Sequence, residues 1–473
     1  MRSSTRLSVV TAMAITGLTL PVTGATASVS ASSAGAKGTV TASGIKLWEA
    51  RFTSAGRGAL GGPSAVSPDG STVFTAGAAV TRVHEADGFA RAATVLAYRT
   101  GTGTVLWRAS YHPSQRSSTV FDALAESPDG SAVYVTGGTA PDGGKNQAVV
   151  TAAYNATTGA AIWTNTSVTT GPGGSVAVSP DGSTVFITTG ANSLRAGPSV
   201  VAYDAATGAV RWTASLGGGA ADEVLASPSG STVFILGDDN NFLPLLAAYN
   251  AATGAARWTD NLGPSQISPA SIAVSPDGSK VAVTGLSSGG TGNLLRAVAY
   301  DSATGTTLWS RQVKGVHGSS FGCAATFSPD SATVYIAGAT RMAGNNNLYS
   351  AGIWAYNAAT GAAAWQRTLP AVSADTTGCD LPAVSPDGTR VFVTSLGSAS
   401  SPAGAFSTAA LDAATGAKLW VLGQQLAGNH WRSFPGSIEV SPDGTTVFVS
   451  GGINSPTPTQ VGSMVTVAYK SSG

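Results

Sequence analysis

Charge is scarce in this 473-residue chain. Asp, Glu, Lys and Arg make up 10% of it, against about 25% in ordinary soluble proteins. The 25 basic and 24 acidic residues nearly cancel, leaving a formal charge of +1. That balance argues against nucleic-acid binding through a basic face and makes long-range steering of a charged ligand weak. Cysteine is almost absent, at two residues, and no Cys-x-x-Cys-His string exists to attach a c-type haem. Histidine is limited to four positions. Walker loops and His-Glu-x-x-His strings are missing, which removes the usual nucleotide and zincin signatures. The sialidase-type Asp box fails too, because no tryptophan closely follows the Ser-Pro-Asp-Gly turns. Beyond the N-terminus no stretch approaches the roughly 20 apolar residues of a membrane-spanning helix.

The N-terminus reads as an export signal: Arg2 and Arg6, an apolar run from Leu7 to Leu20, and Ala25-Thr26-Ala27 as a small-residue cleavage site. The expected organisation is a signal peptide at 1–27, a flexible Ser/Ala/Gly-rich leader at 28–40 and one domain at 41–473, secreted and monomeric. Without Arg2 and Arg6 the basic count falls to 23 against 24, a net charge of −1.

What the chain has in abundance is repetition. Ser-Pro-Asp-Gly-like turns begin at Ser67, Ser127, Ser179, Ser227, Ser275, Ser328, Ser385 and Ser441, and each is followed about 30 residues later by an Ala-Tyr-Asp-x-x-Thr-Gly-x-x-x-Trp-like string. The segment Ser175 to Ile187 alternates as strand, tight turn, strand; Val200 to Tyr203 supplies a third strand, and a fourth carries Trp212. Each unit is therefore a four-stranded antiparallel meander. A sheet apolar on both faces cannot fold alone, so the units must stack around an axis as propeller blades. Trp48, Trp107, Trp163, Trp212, Trp258, Trp309, Trp365 and Trp420 each follow a glycine by four residues and are expected to dock blade on blade. The last unit stops at Ala468-Tyr469 without a tryptophan strand, whereas Trp48 precedes the first turn. The segment 43–48 must complete the last blade. The fold class is all-β, an eight-bladed β-propeller closed by its N-terminal strand.

The string Ala202 to Trp212, repeated at Ala299 to Trp309 and Ala410 to Trp420 and with Asn in third place at Ala153, Ala248 and Ala355, resembles the tryptophan-docking motif of the pyrroloquinoline-quinone repeat family. The Ser-Pro-Asp-Gly turns also resemble those of WD-repeat and lactonase-like propellers. The resemblance implies eight blades over nearly the whole chain. The family includes quinoprotein alcohol dehydrogenases, with the quinone beside a disulfide of adjacent cysteines and above a calcium, and non-catalytic scaffolds such as a lipoprotein that helps assemble outer-membrane barrels. Cys323 and Cys379 are 56 residues apart, so the quinone-stacking disulfide is missing here.

Cys323 and Cys379 hold nearly equivalent places in adjacent repeats and are expected to form an inter-blade disulfide, worth roughly 4 kcal/mol by loop closure. Candidate ligand-binding residues fall into three groups. His84, Glu85 and Asp87 lie in the charged stretch 81–91 of the first blade, which is expected to be the longest loop between second and third strands. Asp122, Asp222 and Asp380 each stand five residues before their turn serine, at the mouth of the axial channel, with Glu223 beside Asp222. His430 and Trp431 enter the last blade, Trp431 being a tryptophan the repeat does not explain. Trp354, on a third strand, is expected in the core, and Glu126 and Glu439 are expected to face channel water. The favoured function is a secreted, non-enzymatic propeller binding a partner protein or an extracellular glycan on its loop rim, with no cofactor. The alternative is an exported enzyme at the channel mouth, a lactonase-like hydrolase or lyase or a divergent quinoprotein using Ca²⁺ or pyrroloquinoline quinone.

Overall fold

A computed structural model describes residues 44–472 except 55–57, 85–87, 115, 141–147, 168–172, 190–198, 218, 242, 263–267, 290–291, 314–319, 342–348, 374–380, 397–405, 425–431 and 455–461. Among the described residues there are 32 strands and no helix. Six four-stranded antiparallel sheets stand alone, and a seventh, eight-stranded sheet is two such units joined by one parallel pairing of Arg91 with Ser118. The eight units are blade 1 (59–111), blade 2 (118–167), blade 3 (176–214), blade 4 (221–261), blade 5 (268–313), blade 6 (320–373), blade 7 (381–424) and blade 8 (432–470 with 46–52). The first strand of every blade packs against the first strands of both neighbours, and that of blade 8 returns to blade 1. The eight first strands therefore line a common axis.

Sequence explains each layer. Second and third strands are buried on both faces, as in Thr184–Thr188, because neighbouring blades cover both sides. Fourth strands such as Ala161–Ser167 alternate between exposed and half-buried residues because they form the circumference. In the Ser-Pro-Asp-Gly turn, Ser179 Oγ donates to Asp181 Oδ1 at 2.5 Å while the Ser183 amide donates to the same oxygen at 3.0 Å. Gly182 closes it at φ 70°, a conformation that costs an L-residue about 1 kcal/mol or more.

The tryptophans form the joints between blades. Each indole N–H donates to a backbone carbonyl in the next blade: Trp48 to Thr100, Trp107 to Ala156, Trp163 to Ala205, Trp212 to Ala251, Trp258 to Ser302, Trp309 to Ala358 and Trp365 to Ala413, at 2.5–3.0 Å. The ring face then covers the glycine three residues after that carbonyl. At Gly254, with φ 71°, an added Cβ would stand 2.6 Å from the Trp212 ring. Behind the indole lies an aromatic side chain of its own blade's second strand, as with Phe186 and Trp212, whose centroids are 5.8 Å apart. Trp354 is buried beside Trp309 and Tyr356, as expected.

Closure between blades 7 and 8 uses the same joint made from both ends of the chain. Strand Lys46–Phe52 pairs antiparallel with Ser463–Lys470. Trp420 donates to the Ser471 carbonyl at 3.1 Å, and its ring covers Gly44. In a complete blade the Asp204 amide donates to the Ala209 carbonyl at 2.7 Å; here the Lys470 amide donates to Ile45 at 2.8 Å. Ser471 and Gly44 thus rebuild, from two separate segments, the turn that is continuous elsewhere.

Gly254→Ala is expected to destabilise the protein by about 2–4 kcal/mol, since it combines an unfavourable φ with a collision against a packed ring. Urea unfolding checks this. Deleting residues 44–52 should expose the outer edge of blade 8 and leave Trp420 without its glycine. A melting temperature equal to that of the full chain would contradict closure by this strand.

Candidate functional site

The connections divide the two rims of the ring. Every turn between first and second strands spans five residues, from Val66 to Thr72 in blade 1 through Val440 to Thr446 in blade 8, and so does every intact turn between third and fourth strands. On the opposite rim the connections between second and third strands run from two residues, between Gly289 and Gly292, to eleven, between Thr188 and Val200. Variation is concentrated on that rim, where a rigid scaffold presents its binding residues.

Blade 1 differs from the expected loop. Its strands Thr72–His84 and Gly88–Arg99 leave only three residues between them, so the stretch 81–91 is mostly an extended hairpin and not the longest connection. The alternation Thr81-Arg82-Val83 opposite Phe89-Ala90-Arg91 continues the ladder past the length of other blades. His84 ends the second strand, opposite Gly88. The hairpin is braced against blade 2 by the Arg91 to Ser118 pairing and by donation of the Arg91 amide to the Ser117 carbonyl at 3.1 Å. Nearby His112, in the connection to blade 2, has its Nε2 buried with no hydrogen-bond partner among the described residues. Glu85, Asp87, Asp380, His430 and Trp431 lie outside the described residues.

The axial channel has an order that the repeat spacing points to but does not explain. In six blades the first strand carries a register shift at the position five residues before its turn serine. Asp122, Asp222, Ala270, Cys323 and Gly436 are unpaired extra residues of these bulges. A bulge re-aims its side chain out of the ladder. Asp122 is thus open to solvent on the channel side, midway along Ser118–Glu126, and not at the mouth. It remains enclosed by protein, and the loss of bulk solvation raises its carboxyl to about 7 despite a hydrogen bond from the Gly138 amide. Asp222 is half-buried at the start of its strand. Cys323, 3% exposed, is held in a disulfide; Cys379 lies outside the described residues.

Glu223 is occupied by the scaffold. Its Oε2 accepts the Ile272 amide of the next blade at 2.9 Å, and it also hydrogen-bonds with the Ser271 side chain. The equivalent residue of blade 3, Ser175, accepts the Val224 amide at 3.3 Å, and that of blade 8, Ser437, meets Ser64 at 2.6 Å between hydroxyls. Burial raises the Glu223 carboxyl to about 8.

Glu126 and Glu439 do not face channel water. Each is only 9% exposed: Glu126 stands one residue before its turn serine, as Val178 and Val274 do, and Glu439 two residues before, as Ala177 and Ala273 do, and the two positions pack against the blades on opposite sides. Both oxygens of Glu126 are buried without a hydrogen-bond partner among the described residues, and desolvation together with the charges of Asp69 and Asp129 raises it to about 8. Burial alone raises Glu439 well above the carboxylate range. Sequence spacing located the first-strand acids but not their direction, which follows from bulge and strand parity. Among the described residues, no three His, Cys, Asp or Glu side chains come together as a metal-holding group, and no helix is long and apolar enough to cross a membrane.

These features define a tryptophan-docked, all-β propeller whose conserved geometry lies on one rim and whose variation lies on the other. The profile of the PQQ-repeat family described as outer membrane protein assembly factor BamB matches residues 145–349 and 296–457, most of the ring, and the chain belongs to that family. No curated protein sequence matches it. Among solved structures it is similar to BamB from Moraxella catarrhalis, at 16% identity and TM-score 0.51 over 91% of this chain and 98% of that one. It is also similar to the quinohemoprotein alcohol dehydrogenase ADHIIG from Pseudomonas putida HK5, at 15% identity and TM-score 0.55 over 92% and 77%. The C-terminal WD40 domain of Sif2 aligns at 12% identity and TM-score 0.57 over 89% and 100%. At these identities the likeness is one of fold.

The buried acids have a pH consequence. A carboxyl whose pKa is higher folded than unfolded binds its proton more tightly when folded, so its stabilisation is complete below the unfolded value and declines as pH rises to the folded one. For Glu126 and Glu223 that window runs from about 4.5 to about 8. The turn aspartates, such as Asp181, are lowered by their serine hydrogen bonds and act in the opposite sense at acid pH. The melting temperature is therefore expected to peak in mild acid and fall toward pH 8. Glu126→Gln should recover about 2 kcal/mol at pH 8 and flatten the decline; an unchanged profile in chemical denaturation would refute the assignment.

Proposed function

We propose that this protein is an exported binding propeller that engages a partner protein through its variable loop rim, with the braced hairpin of blade 1 as the principal contact. The supporting observation is the contrast between rims: turns of constant length on one, connections of two to eleven residues on the other. In sequence, His84, Glu85 and Asp87 fall in the same stretch as that hairpin, and His430 and Trp431 immediately precede blade 8; these residue types suit such an interface. Membership in a family described as an assembly factor supports a protein as the partner. An extracellular glycan, stacked on Trp431, is the second ligand class this rim suits. Export is proposed from the N-terminal charge, apolar run and Ala25-Thr26-Ala27 site, and a monomer from the ring's self-closure.

The enzymatic reading draws on Asp122, whose raised carboxyl in the channel could exchange a proton near neutral pH, and on Asp222 and Asp380 as its companions. Two experiments separate the readings. A photo-crosslinker placed at residues 86, 144, 194 and 428 in producing cells should give discrete protein adducts, while the same group at Asp129 or Thr207 on the constant rim should give none. Adducts from the constant rim alone would overturn the assignment of the face. Thermal unfolding with pyrroloquinoline quinone and Ca²⁺ should show no saturable stabilisation; a saturable rise lost in Asp122→Asn would establish the enzymatic reading instead.

A further inference from the structure

A cavity of about 480 Å³ lies on the constant rim at the seam between blades 7 and 8. Its lining comes from segments that meet only because the ring is closed: Arg390 of blade 7, Lys470 at the end of the last strand, and Leu47 of the N-terminal strand. Both cations stand where most blades have a neutral or acidic residue: Arg390 where Thr recurs and blade 5 has Lys280, and Lys470 where Asp or Asn recurs and blade 1 has Arg99. Where blades 3, 5 and 7 have Asp204, Asp301 and Asp412, each capping its own Thr-Gly turn, blade 8 has Lys470. Its turn is split, so no cap is required. Where blades 3 and 4 have Arg211 and Arg257, which reach across their own rim to Thr184 Oγ1 at 2.7 Å and the Ser231 carbonyl at 3.0 Å, blade 8 has Leu47. An aliphatic side chain cannot make that bridge; it stays 48% exposed and the space remains open.

The hydrogen-bonding capacity of this cavity is one-sided. Asp387 and Asp443 also line it, but each carboxylate accepts from its turn serine at 2.5 Å and from the amide and hydroxyl of the following threonine. Arg390 contributes to Asp387 only through space, and neither Arg390 nor Lys470 makes an ion pair among the described residues. What faces the cavity unspent is a guanidinium and an ammonium; the Ser471 hydroxyl donates to the Gly444 carbonyl at 2.5 Å, and that of Thr446 lies 3.4 Å from Thr445 Oγ1. A planar fork of donors beside a point charge suits an acceptor-rich anion.

The geometry points to an anion-binding site at the seam, in which a small carboxylate or phosphate joins Arg390 to Lys470 and fastens the N-terminal strand. Ligand and closure are then linked, because the site is complete only in the closed ring.

The test is calorimetric titration of the full chain with inorganic phosphate and, separately, malonate at constant ionic strength, paired with hydrogen exchange of residues 46–52. Saturable binding of at least one anion is expected, weakened tenfold or more in R390Q and in K470D, the latter restoring the residue of other blades. The bound anion should slow exchange in 46–52 and leave the equivalent strand of blade 3, 210–214, unchanged. Phosphate binding alone would name a phosphorylated ligand, and malonate alone a carboxylate. Equal affinity in both variants, no binding of either anion, or equal slowing in blade 3 would overturn the proposal. Unliganded melting temperatures of the variants, expected within a few degrees of wild type because neither side chain is paired, separate lost binding from lost folding.

Discussion

The indole N–H to carbonyl bond, with the ring face laid over a positive-φ glycine, is the contact on which the molecule depends. A four-stranded sheet with two apolar faces has no independent stability, and its second and third strands are dry only when both neighbours are present. The tryptophan holds each neighbour at a fixed angle because two requirements coincide: the buried N–H needs an acceptor, and the ring needs a surface without a Cβ. Trp212 on Ala251 and Gly254 meets both. Eight joints of the same geometry bring the ring round to its start, and the last, Trp420 on Ser471 and Gly44, is made across the two ends of the chain.

A second set of contacts ties the blades near the axis, and it tolerates chemical variety. The position four residues before the turn serine is Ser175 in blade 3, Glu223 in blade 4 and Ser437 in blade 8, and each bonds the following blade. Glu223 and Ser175 each accept a backbone amide there, and Ser437 meets a hydroxyl, so one task is done by a carboxyl and two hydroxyls. Glu223 is thus part of the scaffold, although an acid near a channel invites a catalytic reading. Asp122 differs by one strand position, and the bulge turns it from the ladder toward the axis. Adjacent positions on one strand therefore divide between structure and availability.

The circumference carries the remaining cost of the design. Outer strands present an unpaired edge, and large aliphatics next to the docking tryptophan, among them Leu106, Ile162 and Leu308, are exposed. Polar neighbours on the same strands temper the edge: Asn165, Arg311 and Arg367 bond carbonyls of the next blade's glycine turn at 2.6–2.8 Å. These contacts reinforce the tryptophan joint from two residues further along, so one short strand serves docking, solubility and stapling together.

Turn residues, the glycine-to-tryptophan spacing and the missing tryptophan strand in the last repeat were enough to predict strand order and ring closure by an N-terminal strand around Trp48, and the place of Trp354 on a third strand was enough to predict its burial. Each rests on local chemistry repeated many times, and a repeat averages away local exceptions. The first-strand acids were legible as a column but not in their direction. Whether Glu126 meets water or the flank of blade 1 depends on which neighbour covers its side of the strand. Likewise, residues 81–91 read as a loop because they are charged, yet 81–84 and 88–91 pair as strands, since pairing across the ladder and bracing by blade 2 outweigh the polarity of the stretch. The chain's own sequence determined the blade, the joint and the order of the ring, because these follow from short-range spacing of turn, glycine and indole. Tertiary structure alone decided which carboxyls are buried, which face the axis, and where Arg390, Lys470 and Leu47 meet, because those outcomes depend on surfaces contributed by distant parts of the chain.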